Sequence, residues 1–107
     1  RANLLGTFLL SVRDGEEYRT IGKVATGITD EKLEELHERL DPYVRSESGT
    51  VVEIEPAIVF EVGYEEIQRS PTYSSGYALR FPRFIGVRED KNPSDADSLE
   101  RVERLAG

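Results

Sequence analysis

Residues 58–91, IVFEVGYEEIQRSPTYSSGYALRFPRFIGVREDK, decide how this chain is built. The first eleven alternate as a strand does, with Val59, Glu61, Gly63 and Glu65 on one parity and Phe60, Val62, Tyr64 and Glu66 on the other. The second parity carries more apolar surface and is the expected core face. RSPTYSSG is polar and rich in turn formers, so it reads as the loop from which a second strand, YALRFPRFIGVRED, returns. There Leu79, Phe81, Arg83 and Ile85 alternate with Arg80, Pro82, Phe84 and Gly86, and Leu79, Phe81 and Ile85 are expected to anchor the strand. Pro82 has no N–H for a ladder, which predicts an edge or bulged position.

Working outward, LLGTFLLSVRD (4–14) places Phe8, Leu10 and Val12 on one side, and DGEE turns it into a return strand, YRTIGKVATG (18–27). Gly22 and Gly27 in that return suggest a bend or the close approach of another backbone. Thr29 is the expected N-cap of a helix over 30–40, with Asp30 and Glu31 in its first turn and Leu33, Leu36, His37 and Leu40 at helical spacing. Glu34, Glu35, Glu38 and Arg39 then face solvent, and Asp41-Pro42 ends the helix. RSESGT (45–50) reads as a loop, TVVEIEP (50–56) as a short strand, and NPSDADSLERVERLAG as a loop followed by a helix over 97–105. About five strands and one inserted helix fit a small Greek-key barrel of the oligonucleotide-binding type, and fit a small α+β sandwich or roll equally well.

A length of 107 residues supports one domain and one core. The absence of cysteine excludes disulfides and thiolate metal sites, and a single histidine, His37, leaves little for an imidazole cluster. No apolar run approaches the roughly 20 residues of a membrane span, so membrane insertion is not expected. A chain that starts at Arg1 and contains no methionine reads as a fragment, and nothing near its start resembles a signal peptide.

The formal charge of −7 is unevenly spread. Residues 28–66 hold twelve acids against three bases, whereas 67–91 hold Arg69, Arg80, Arg83, Arg88 and Lys91 against only Glu89 and Asp90. Glu61, Glu65 and Glu66 read as solvated strand charges rather than an acid/base or Mg²⁺ site, and His37 reads as a packing or surface residue rather than a base. No Ser-His-Asp or Cys-His arrangement is present. GKVATG lacks the order of a P-loop, though Lys23 is a candidate phosphate contact. The late cations are different: guanidinium forks and an ammonium suit phosphate oxygens, and Arg69 lies beside a hydroxyl-rich loop, Ser70, Thr72, Tyr73 and Ser74.

At these residues the chain resembles the C-terminal oligonucleotide-binding-fold domain of ATP-dependent DNA ligases, of the archaeal replicative type and its eukaryotic relatives. VGYEEIQRSPTYSSGYALRFPRFIGVREDK (62–91) carries the resemblance, and ANLLGTFLL, IGKVATGITDEKLEEL and SLERVERL also fit the family in order. The resemblance implies one such domain over 1–107, a five-stranded Greek-key barrel with an inserted helix and a short C-terminal helix, lacking its first strand before RANLLG. It implies that Arg88, Asp90 and Lys91 belong to the last nucleotidyl-transfer motif. Arg88 and Lys91 would orient the β- and γ-phosphates of ATP while a lysine of the adenylation domain is adenylated, with Asp90 positioning them. It makes Arg69, Ser70, Thr72, Arg80 and Arg83, with Lys23, the DNA-backbone contacts in the minor groove of nicked duplex DNA.

The implied cofactors are ATP and Mg²⁺ in the full-length enzyme and none in the fragment. The implied partners are nicked double-stranded DNA, the adenylation domain of the same polypeptide and, through other domains, a sliding clamp; the fragment is expected to be monomeric. The implied location is intracellular, the cytoplasm of an archaeon or the nucleus of a eukaryote, in replication, repair and recombination. The lysine motif Lys-x-Asp-Gly is absent, so the fragment alone is expected to be inactive. Gly86 stands where many relatives carry a larger, often basic residue. Two rival readings are the corresponding domain of an mRNA-capping guanylyltransferase and a noncatalytic single-stranded nucleic-acid module stacking bases on Tyr73, Tyr77, Phe81 and Phe84.

Overall fold

The computed structural model describes residues 6–48 and 51–106. Strands β1 (Phe8–Asp14) and β2 (Glu17–Val24) form an antiparallel hairpin whose turn uses Gly15 at φ 64°, a left-handed conformation that glycine adopts without a Cβ penalty. Its ladder slips between Leu10 and Ser11, the bulge that twists the hairpin. Helix α1 (Asp30–Leu40) follows, and its bounds match the expected ones because the signals are local. The Thr29 hydroxyl accepts the Lys32 N–H at 3.1 Å, and Leu36 and Leu40 are buried.

A 3₁₀ turn at Asp41–Tyr43 redirects the chain into β3 (Val44–Ser48), which pairs antiparallel with β4 (Val51–Ile54). The loop expected from 45 onward is therefore a strand over its first residues: polar side chains on an exposed hairpin carry no apolar alternation, yet pairing satisfies the backbone.

The two long strands expected around the RSPTYSSG loop are each broken in two. The outgoing strand becomes β5 (Phe60–Gly63) and β6 (Glu66–Arg69), and the returning one becomes β7 (Tyr77–Arg80) and β8 (Arg83–Val87). β6 pairs with β7 and β5 with β8, so the four pieces make one antiparallel ribbon with a kink in its middle. The kink sits where Pro82 removes a donor and Phe81 takes φ 51°, a rare conformation for an aromatic residue. A single bond, from the Glu65 N–H to the Arg80 carbonyl at 2.9 Å, spans the break.

This break corrects two expectations. The left-handed residue shifts the side-chain parity beyond it: Phe84 is the buried residue of β8 at 7% exposure, whereas Phe81 and Ile85, the expected anchors, are 62% and 55% exposed. Leu79 is half-buried as an anchor should be. The five-stranded Greek-key barrel is also overturned. The described residues form a mixed α/β arrangement of eight strands in four two-stranded sheets, and none closes into a barrel.

Among the described residues, the backbone bonds that join the ribbon and its loop to β2 and the segment after it are isolated, from Ser75 N–H to the Thr20 carbonyl at 3.1 Å and from Phe84 N–H to the Thr26 carbonyl at 2.7 Å. The ribbon strands, four or five residues long and interrupted by a bulge and a proline, do not extend those bonds into ladders. The expected absence of a strand before RANLLG concerns positions outside the described residues.

Side-chain packing joins the sheets instead. One cluster buries Val12, Ile21 and Val102 against Leu79 and Leu99; the other buries Val24, Leu36 and Phe84 against Phe8 and Phe60, with Leu10 touching both. Phe60 meets Phe8 and Phe84 edge-on, at centroid distances of 5.4 and 5.0 Å. Gly27, at φ 92°, lets β8 come this close: a Cβ there would lie 2.5 Å from the Phe84 carbonyl oxygen. Helix α2 (Leu99–Ala106) closes the first cluster with Val102, and Arg13 ties its approach to β1 by donating to the Ala96 carbonyl at 2.8 Å.

Candidate functional site

β8 leaves the second cluster at Val87 and ends in a single tight turn, Arg88-Glu89-Asp90-Lys91. The Lys91 N–H closes it on the Arg88 carbonyl at 3.3 Å, and the Arg88 N–H bonds the Val59 carbonyl at 2.8 Å, so the ribbon holds its first residue. Beyond it, the Asn92 N–H is accepted by Asp95 Oδ2 at 3.0 Å, which opens the 3₁₀ turn Pro93–Asp95. A turn of this kind puts its first and fourth residues close together, and here both are cations.

The two carboxylates between them are each engaged by an arginine. Arg88 forks onto Asp90, Nε to Oδ1 at 3.1 Å and Nη2 to Oδ2 at 2.9 Å. Arg39, from the last turn of α1, forks onto Glu89 with both bonds at 2.9 Å. The Arg88 guanidinium holds the exposed Asp90 carboxyl below the usual carboxylate range. Lys91 forms no salt bridge with any described residue. Arg88 and Lys91 border a cleft of about 390 Å³ floored by Leu10, Ile21, Phe60 and Leu79.

The remaining candidates divide between the ribbon and β2. Arg80 stands opposite Glu66, bonds it at 3.1 Å and lies over the exposed Phe81 ring at 5.1 Å. Arg69 lies 5.9 Å over Tyr77. Arg83 is exposed, with its guanidinium across Gly63: a Cβ on that glycine would be 3.0 Å from the Arg83 Cζ. Ser70 Oγ accepts the Thr72 N–H at 3.1 Å, so the hydroxyl-rich loop is internally organised. It is clipped to β2 by Thr20 and Ser74, which exchange backbone-to-hydroxyl bonds of 2.8 Å in both directions. Lys23 is exposed on β2 opposite Leu9, apart from the ribbon cations.

The structure thus brings Arg69, Ser70, Thr72, Arg80 and Arg83 onto one ribbon and Arg88, Asp90 and Lys91 into one turn. The two groups sit at opposite ends of β8, about 17 Å apart at roughly 3.4 Å per residue from Arg83 to Arg88. Sequence reasoning missed Arg39, which it placed in solvent, because fifty positions separate it from Glu89. It also counted Phe81 among the anchors of its strand, where the ring is in fact exposed. Arg88 and Lys91 have the donor set that phosphate oxygens need. Among the described residues no group of three or more His, Asp or Glu side chains converges as a metal site requires.

Residues 1–91 match the family model described as the ATP dependent DNA ligase C terminal region. The chain is 76% identical to the DNA ligase of Natronomonas pharaonis over 98% of its own length and 71% identical to that of Halobacterium salinarum over 99%. It spans 19% of the length of each of these relatives. Among solved structures it resembles a mycobacterial DNA ligase D complexed with ATP and MES, with a TM-score of 0.72 and 29% identity over 92% of this chain and 34% of that one. The ligase domain of M. tuberculosis LigD is similar, with a TM-score of 0.69 and 30% identity over 85% of this chain and 32% of that one. A match over most of the chain, on the turn and ribbon just described, makes the protein a member of the family of C-terminal regions of ATP-dependent DNA ligases.

Proposed function

We propose that the chain serves an ATP-dependent DNA ligase in two steps, with a different surface in each. In the first, the 88–91 turn faces the nucleotide site of the adenylation domain in the same polypeptide. ATP bound there supplies the adenylyl group and pyrophosphate as leaving group. Arg88 presents its guanidinium and Lys91 its ammonium to the β- and γ-phosphate oxygens, so that negative charge building on the leaving group meets fixed positive charge. Asp90 keeps Arg88 extended along the turn. These residues transfer no proton.

In the second step the ribbon contacts the minor-groove side of nicked duplex DNA. Arg69, Arg80 and Arg83 supply charge to phosphates, Ser70 and Thr72 supply hydroxyls, and Lys23 adds an outlying contact from β2. Phe81 offers an exposed ring beside Arg80, suited to the apolar floor of a widened groove. Surfaces at opposite ends of β8 cannot serve one fixed pose, so the domain reorients between the steps. The archaeal relatives support a location inside an archaeal cell.

The observation that carries this reading is the turn itself: two cations at its ends, its acids engaged by arginines, and one ammonium without a salt bridge among the described residues. Arg88→Ala and Lys91→Ala in a full-length ligase carrying this chain should each slow formation of the enzyme–AMP intermediate about tenfold or more. Sealing of nicks that are already adenylated should change little. Equal loss in both assays contradicts the reading.

A further inference from the structure

We infer that Arg39 is a positioning residue for the phosphate-orienting turn, holding Glu89 away from the two cations that flank the motif. This rests on the reading of residues 88–91 given above. A turn with the sequence Arg-Glu-Asp-Lys has an internal conflict. Its two acids lie within reach of its two bases, and any carboxylate that folds onto Lys91 competes with a phosphate for the same donors and repels it. Asp90 is taken by Arg88, in the same turn. Glu89 has no such partner within the turn, and the structure supplies one from fifty residues away.

Two features make Arg39 fit to hold it. The contact is a fork, Nη1 to Oε2 and Nη2 to Oε1, each at 2.9 Å, so it fixes the direction of Glu89 as well as its charge. The arm that carries the fork is also rigid: Arg39 lies between Leu36 and Leu40, which are 0% and 7% exposed, and the former packs with Val24 and Phe84. The turn is therefore tethered at Glu89 to the same cluster that seats β8. With Glu89 held on the α1 side, Lys91 is left without a salt bridge among the described residues. The two side chains are 35% and 70% exposed, which sets a modest size for the effect.

The test measures the rate of enzyme–AMP formation at saturating ATP, and the sealing of pre-adenylated nicks, in a full-length ligase carrying this chain. Arg39→Ala should slow the first about three- to fivefold and leave the second, and the thermal midpoint, unchanged. Arg39→Lys keeps the charge without the fork and should fall between Arg39→Ala and the parent. The exchanged pair Arg39→Glu with Glu89→Arg should recover most of the lost rate. Any of three results overturns the assignment: a parental rate for Arg39→Ala, an equal loss in both steps or in stability, or an exchanged pair no better than the single variant. Arg88→Ala and Lys91→Ala run alongside: if they too spare adenylation, the reading of the turn fails, and if they impair it while Arg39→Ala does not, only the role of Arg39 fails.

Discussion

The two ends of β8 use the same residue types differently. At one end, Arg88 and Lys91 stand in a closed turn whose carboxylates are each paired by an arginine. At the other, Arg69 and Arg80 lie across aromatic rings, Arg83 lies across a glycine, and among the described residues Arg80 alone of the three has a carboxylate partner. A fork between exposed groups contributes little to stability, on the order of 0.2–1 kcal/mol, but it fixes direction. A guanidinium lying on a ring keeps its outer edge toward solvent and its charge spread along a surface. The turn is built to aim at a few atoms, and the ribbon to lie along a charged backbone.

Both ends depend on how β8 is seated, and the largest effects should appear there. Phe84→Ala removes a buried ring from the cluster of Val24, Leu36 and Phe60 and should cost about 3–5 kcal/mol in urea unfolding. Ile85→Ala, one residue on, should stay within about 0.5 kcal/mol because that side chain is in solvent. The opposite order would restore the uninterrupted parity and remove the kink on which the comparison rests.

A smaller effect separates the ends in solution. Arg83→Ala should weaken binding to nicked duplex uniformly across sequences and lower the salt slope by about one, as loss of one phosphate contact does. An unchanged slope would take Arg83 out of the interface.

The smallest effect belongs to the turn. Because the Arg88 fork holds folded Asp90 below its ordinary value of 3.8, the stabilisation is complete above that value and is lost as the pH falls through the lowered one. A side-chain NMR titration should find the Asp90 midpoint below 3.8, and Arg88→Ala should return it toward 3.8. A midpoint indifferent to Arg88 would mean that the fork does not form in solution.

What could be read from the sequence follows the range of each signal. Helix α1 was legible because Thr29, Asp30 and the leucine spacing act within a few residues. The β1–β2 hairpin was legible for the same reason, through Asp14-Gly15 between apolar runs. The barrel was not there to be read: alternation gives strand lengths only while the parity is unbroken, and a left-handed Phe81 next to Pro82 turns two expected strands into four. Pro82 signalled an irregularity but not its consequence for Phe84 and Ile85. Arg88, Asp90 and Lys91 stood out through the resemblance of their motif, whereas their pairing with helix α1 did not. Exposed Arg39 and Glu89 carry no pattern that links them, and only the packing of α1 beside β8 brings them together.

The division of labour along β8 is tested most directly by a crossed comparison of Lys91→Ala and Arg83→Ala, each measured for enzyme–AMP formation and for sealing of pre-adenylated nicks at moderate salt. Lys91→Ala should lose about tenfold or more in the first and little in the second. Arg83→Ala should do the reverse, with a sealing defect relative to the parent that narrows as the salt concentration rises, because one phosphate contact fewer makes binding less salt-dependent. If both variants lose the same step, or each loses both steps equally, the two ends of β8 do not have separate roles.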